Sequence, residues 1–235
     1  MRVVISAPRK SGGPQLRCLL SMAYELKPPP LSAPTGADQR AIAAWLSELP
    51  DKSVITCDLP VSSLVSPASD PEVHLFGVIR HPFDLFISNF EVAQQWATRG
   101  REVGETDRAW SVLAGEELEG RIAQQYAATE FAAEMKTLGD WFTSGRAVRY
   151  EDLIAEPAAV LASLAPTLGV LTAEQIDHAV GLCPPENVVL SRPGRGRRIP
   201  SVPPGAWRER LPATLQETLR ARYGAEVSAL GYDAS

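Results

Sequence analysis

The stretch SAPRKSGGPQLRCLL, residues 6–20, gathers two cations, a hydroxyl and two adjacent glycines into one turn: Arg9, Lys10, Ser11, Gly12 and Gly13. The residues before the turn pattern as a buried strand, and those after it as the first turns of a helix. A helix N-terminus leaves amide N–H groups unpaired and carries partial positive charge, so such a turn is suited to an anion. Arg9 and Lys10 add full charges, and Gly12 and Gly13 let backbone come close to phosphate oxygens. The phosphate loop of nucleoside triphosphatases, G-x-x-x-x-G-K-[ST], is the obvious comparison. Lys10-Ser11 matches its last two positions, but Val4 and Arg9 stand where its glycines belong. The strand HLFGVI runs into Arg80 rather than into an aspartate that would hold magnesium. A magnesium-dependent kinase does not fit.

The elements that must position this turn are read from short apolar runs. VVIS, SVITC and HLFGVI are β-branched or aromatic and continuous, as strands covered on both faces are. Between them the pattern predicts helices over Gln15–Leu26 and Asp38–Leu49, the second with Ile42, Trp45, Leu46 and Leu49 on one face. Pro82 suits the first turn of a helix over RHPFDLFISNFEVAQQW. Thr98–Glu119 is polar and aperiodic, a loop or partly helical lid. Helical patterning returns over Arg121–Phe142, AVRYEDL is expected to be a strand, and further helices are expected over Glu156–Leu168 and Ala213–Tyr223. Thr172 and Gln175 have the spacing of a capping box. Alternating strands and helices predict an α/β fold with a central parallel sheet flanked by helices.

The 235 residues suffice for one domain, taken as 1–235. With 45% hydrophobic and 22% charged residues the composition is that of a soluble globular chain, and a net charge of -5 gives no global attraction to nucleic acid. Cys18, Cys57 and Cys183 are odd in number, far apart and without a C-x-x-C pair, so neither a disulfide framework nor a zinc site is expected. A reduced cytoplasm fits. No apolar stretch approaches the ~20 residues that span a bilayer, and Met1–Ile5 enters a strand without the pattern of an export signal.

With the second strand-helix joint included, the sequence resembles the sulfotransferases that use 3′-phosphoadenosine 5′-phosphosulfate (PAPS), of the bacterial small-molecule type. Their first signature, close to P-K-S-G-T-T-W-L, binds the phosphosulfate end of the donor. PRKSGGPQL is similar, with one extra residue and Gly-Gly-Pro-Gln in place of Gly-Thr-Thr-Trp. The resemblance makes Lys10 the lysine that bridges to the leaving phosphate oxygen, with Arg9 the competing register. The usual hydroxyls are missing, so the amides of Ser11, Gly12 and Gly13 are left to serve the 5′-phosphate. The second signature ends a strand in arginine and places a serine eight residues on, which VIRHPFDLFISNF supplies as Arg80 and Ser88. A guanidinium can fork two oxygens of the 3′-phosphate while the hydroxyl two turns along gives a third bond. AVRYEDL is similar to the family's strand and Tyr-Glu-Asp turn, where Tyr150, Glu151 and Asp152 serve fold rather than chemistry. SRPGRGRRIPSVPPGAW resembles the basic loop and Gly-x-Trp over the 3′-phosphate; of Arg192, Arg195, Arg197 and Arg198, the last two are the expected contacts.

The pattern breaks at the general base, a histidine in V-I-K-T-H-L-P. Here the piece is SVITCDLP, with Asp58 in the histidine's place. A free aspartate has a pKa of about 3.9 against ~6.5 for histidine, so it is the weaker base unless burial lifts it. None of the remaining histidines fits the role: His81 comes directly after the phosphate arginine, where it is expected to face the nucleotide, and His74 and His178 fall outside any motif. The resemblance therefore implies a P-loop-like sulfotransferase fold and transfer of a sulfuryl group from PAPS, leaving 3′-phosphoadenosine 5′-phosphate (PAP), to a hydroxyl or amine of a small-molecule acceptor in secondary metabolism. Asp58 and Lys10 would be catalytic, and no metal, nucleic acid or membrane partner is called for. A homodimer is one open arrangement. The alternative is a protein of the same fold that binds nucleotide or a partner without transferring sulfate.

Overall fold

A computed structural model describes residues 1–34, 38–65, 70–98, 112–185 and 202–234, with 96–98 as backbone alone. Arg2–Ser6 (β1), Ser53–Cys57 (β2), Val73–Ile79 (β3) and Ala147–Arg149 (β4) pair in parallel, in the spatial order β2-β1-β3-β4. The helices run, in chain order, Gly13–Ala23 (α1), Gln39–Glu48 (α2), Val61–Val65 (α3), Pro82–Thr98 (α4), Arg121–Ala128 (α5), Phe131–Thr143 (α6), Tyr150–Ala155 (α7), Pro157–Leu168 (α8), Ala173–Leu182 (α9), Trp207–Arg210 (α10) and Ala213–Ala229 (α11). The chain divides into two compact units, Met1–Ile79 with Asp140–Arg198, and Arg80–Gly139 with Ile199–Ser235.

The first unit holds the sheet. Side chains alternate across a strand, so Val3, Ile5, Val54, Phe76, Val78 and Val148 share one face. That face packs with Leu16, Leu19 and Leu20 of α1, Leu161 and Leu164 of α8, and Ala179 of α9 in one buried cluster. On β3, Gly77 makes room for Trp141, since a Cβ there would lie 2.3 Å from the indole. Asp38 caps α2 by accepting from the Ala41 amide at 2.8 Å, and Thr172 and Gln175 form the predicted capping box on α9. Cys18 and Cys183 are joined by a disulfide with Cα atoms 5.9 Å apart, which corrects the expectation of no disulfide. The pairing is invisible in spacing because the partners lie 165 residues apart.

The second unit packs α4, α5, the start of α6, and α11 around aromatic rings. Phe86 stands edge-on to Tyr126 and Phe131, and Phe131 edge-on to Tyr223, with centroids 5.4–5.6 Å apart. The predicted single helix over Arg121–Phe142 is two, because Thr129 leaves helical geometry and turns its hydroxyl onto the Gln125 carbonyl at 2.8 Å. Other boundaries move as well. The first helix covers Gly13–Ala23, the strand in AVRYEDL stops at Arg149 with Tyr150 opening a helix, and the last helix runs on to Ala229. Most of the Thr98–Glu119 segment lies outside the described residues; 112–116 form a turn held by Gln94, whose amide donates to the Leu113 and Glu116 carbonyls.

Candidate functional site

In the first unit the strand ends Ser6, Cys57, Ile79 and Arg149 lie along one edge of the parallel sheet. The corner after β1 is held by backbone geometry that few residues adopt. Lys10 has φ 68° and Gly12 φ 100°, both left-handed. Gly12 is required twice over: an L side chain is strained at that φ, and a Cβ would lie 2.3 Å from Cδ2 of Tyr150, the first residue of α7. Gly13 faces only ordinary contacts, with Ala7 at 3.5 Å and Thr56 at 3.8 Å from a Cβ placed there. Tyr150 is thus a lid on the turn, a role the Tyr-Glu-Asp resemblance did not give it.

The structure changes which atom of Ser11 is available. Its amide, expected to face an anion, donates to the Pro8 carbonyl at 3.1 Å, closing the turn. Its hydroxyl is fully buried and has no partner among the described residues. Neither the Gly12 nor the Gly13 amide donates to a described acceptor. No acidic side chain occupies the first turn of α1, and Gly12 offers no capping side chain. One buried hydroxyl and two amides at a helix N-terminus, with Arg9 and Lys10 alongside, match the donor set that a phosphate or sulfate oxygen needs.

Asp58 is brought beside this corner. The Ala7 amide donates to the Cys57 carbonyl at 3.2 Å, and the Ser6 hydroxyl donates to the Leu59 carbonyl at 2.5 Å. These bonds stitch the turn Cys57–Leu59 to the exit of β1. Asp58 itself is exposed. The neighbouring Cys57 thiol is no substitute nucleophile, since burial pushes its pKa up to about 11. His74 pairs with Val3 near the start of β3, at the opposite edge, and His178 lies exposed on α9.

The second unit carries the other predicted corner. Arg80, the residue after β3, is 1% exposed and its Nη2 donates to the Val202 carbonyl. Ser88, on the buried face of α4, is also 1% exposed and its hydroxyl has no partner among the described residues. Asp84 was not singled out from the sequence. It is fully buried in the first turn of α4 and accepts from the Gly205 amide at 2.6 Å and the Trp207 amide at 2.9 Å. It thereby binds Gly205-Ala206-Trp207 to the Arg80 corner; an acid in the first turn of a helix was the available signal, and it reads equally as a helix-dipole residue.

His81 turns out to hold the C-terminal segment. Its Nδ1 accepts from the Phe83 amide at 3.2 Å and its Nε2 lies 2.9 Å from the Asp233 carbonyl, which assigns the Nε2–H tautomer. The ring stacks on Trp207 at 5.2 Å. Arg192, Arg195, Arg197 and Arg198 lie outside the described residues.

The whole fold has solved counterparts. Mouse sulfotransferase SULT7A1 complexed with PAP aligns over 100% of this chain and 89% of its own, at 13% identity and a TM-score of 0.64. Retinol dehydratase in complex with androsterone and inactive cofactor PAP aligns over 96% of this chain and 80% of its own, at 15% identity and a TM-score of 0.57. The chain has the sulfotransferase fold. No family model and no curated protein matches the sequence.

Proposed function

We propose that this protein is a sulfotransferase that moves a sulfuryl group from PAPS to a hydroxyl or amine of a small-molecule acceptor. The observation that carries the reading is the pair of buried serine hydroxyls, Ser11 and Ser88, left without described partners at the two strand-to-helix corners where the resemblance asks for phosphate contacts. A buried hydroxyl without a bond costs about 1–3 kcal/mol, so two at these positions favour ligand oxygens as their partners. The fold, whose solved examples include proteins complexed with PAP, supports the same reading.

In this proposal the donor supplies the sulfuryl group when bound, and the chain supplies position and charge. The Gly12 and Gly13 amides and the Ser11 hydroxyl hold the 5′-phosphate end, with Arg9 nearby. Lys10 offsets the charge that builds on the departing phosphate oxygen, the kind of preorganised stabilisation that lowers barriers most. Arg80 and Ser88 hold the 3′-phosphate, with Arg197 and Arg198 as further contacts. Asp58 takes the acceptor's proton. Its exposure leaves the carboxylate open to an incoming acceptor.

A second reading rests on the aspartate itself. A protein of this fold with a weak base in the histidine's place would hold the nucleotide, or a partner, without turnover. Incubating the protein with PAPS and panels of phenols, alcohols and amines, and following PAP release, separates the two. Acceptor-dependent release supports the transferase; tight PAP binding with no release for any acceptor supports the binding protein. Among the described residues no helix is long and apolar enough to cross a membrane. We place the protein's activity in secondary metabolism; the Cys18–Cys183 disulfide removes the cysteine argument for a reduced cytoplasm.

A further inference from the structure

The Cys18–Cys183 disulfide does more than join two helices. Gln15 and Cys18 lie three residues apart on α1 and therefore share a face of that helix. Both meet Cys183, which caps the C-terminus of α9. The Gln15 amide donates to the Cys183 carbonyl at 2.7 Å in a buried bond, and the Cys18 sulfur takes the Cys183 side chain. A carbonyl at a helix C-terminus has no partner within its own helix, so the Cys183 oxygen needs this donor, and the donor belongs to the first turn after Gly12 and Gly13. The Gly12 turn is also closed by the Tyr150 ring. The corner thus has two clamps. One clamp is apolar packing; the other contains a bond that can be reduced.

We propose that the Gln15–Cys183–Cys18 clamp positions the anion-binding corner of Lys10–Gly13, and that reduction of the disulfide loosens the corner and lowers its affinity for nucleotide. Gln15 and Cys183 are positioning residues here and touch no substrate. The nucleotide half of this inference rests on the function proposed above. The redox step is ordinary thiol exchange. A thiolate of an external dithiol attacks Cys18 Sγ, the half-buried end, and expels Cys183 as a thiolate, which takes up a proton; the second thiol of the reductant then displaces Cys18. Two electrons pass to the protein, which gains two thiols, and the dithiol leaves as a cyclic disulfide. After reduction α9 stays packed through Ala179 and its apolar neighbours in the core cluster, so the fold persists while the pinning of the first turn of α1 weakens.

The test uses the full-length protein, oxidised and after treatment with dithiothreitol, with thiols counted in denaturant. One thiol before reduction and three after is the expected count; three in protein exposed to air and oxidised glutathione would overturn the proposal. Hydrogen exchange at the Gly12, Gly13, Gln15 and Leu16 amides is expected to quicken about tenfold or more on reduction with the far-ultraviolet dichroism unchanged. Titration with PAP is expected to show binding weakened by a similar factor. Cys18→Ser should resemble the reduced protein and lose its response to dithiothreitol; if it does not fold, the two redox forms of the native chain still decide. Equal exchange and equal affinity in both forms contradict the clamp. If neither form binds PAP, the function proposed above fails, and the exchange rates alone decide whether the disulfide holds the corner.

Discussion

Replacing Gly12 by alanine sets a methyl carbon against the Tyr150 ring in a backbone conformation with φ 100°, whereas the same change at Gly13 meets only ordinary contacts. Gly12→Ala is therefore expected to cost about 2–4 kcal/mol of stability or to distort the corner outright, and Gly13→Ala under about 1 kcal/mol. Denaturant unfolding of the two variants measures the contrast; equal losses would mean that Tyr150 does not close over the turn. Asp58 sets a different test. Asp58→Asn removes the proposed proton acceptor without touching the buried donors, so turnover should vanish while PAP affinity stays within about twofold. Unchanged turnover would remove Asp58 from the chemistry and leave the proton to solvent or to the acceptor itself.

At the scale of elements, the corner after β3 is tied by several long-range hydrogen bonds. Asp84 is buried and satisfies two amides of the Gly205–Trp207 turn, while His81 and Arg80 reach Asp233 and Val202. Asp84→Ala leaves the buried Trp207 N–H and the part-buried Gly205 N–H without acceptors, and at about 1–3 kcal/mol for the buried group and less for the other the expected loss is about 2–4 kcal/mol, read from the urea midpoint. A loss below about 0.5 kcal/mol would show that the turn is held by the stacking of Trp207 instead. Much of this architecture was legible in the sequence. The apolar runs named β1, β2 and β3, Pro82 marked the start of α4, and Thr172 with Gln175 fixed the start of α9 to the residue. The features that escaped have a common physical cause. Asp84 and Gln15 act through partners 121 to 168 residues away, and no local pattern encodes a long-range hydrogen bond. The break between α5 and α6 escaped because Thr129 satisfies the Gln125 carbonyl from inside an otherwise helical pattern. The corner residues Lys10, Ser11, Gly12 and Gly13 are candidates by their types alone, but that Ser11 offers its hydroxyl rather than its amide depends on the turn closed by Pro8.

At the scale of the whole molecule, the disulfide closes a loop of 165 residues, and a cross-link of that kind contributes about 2–5 kcal/mol through the unfolded chain. Reduction should lower the unfolding midpoint accordingly, and a midpoint indifferent to reductant would mean that the bond does not form in solution. The fold and the chemistry rest on different supports. A four-stranded parallel sheet with helices packed on it fits many activities, and the solved proteins that share this fold at 13–15% identity carry its architecture, not its acceptor. What ties this chain to PAPS in the proposed function is a set of buried donors at two strand ends. Isothermal titration of PAP into the native protein, repeated with Arg80→Ala and with Ser88→Ala, tests that tie most directly. One-to-one binding, weakened by about 2–5 kcal/mol in Arg80→Ala and by about 1–2 kcal/mol in Ser88→Ala while both variants stay folded, is the result predicted. Absence of binding to the native protein, or binding that neither substitution changes, would contradict it.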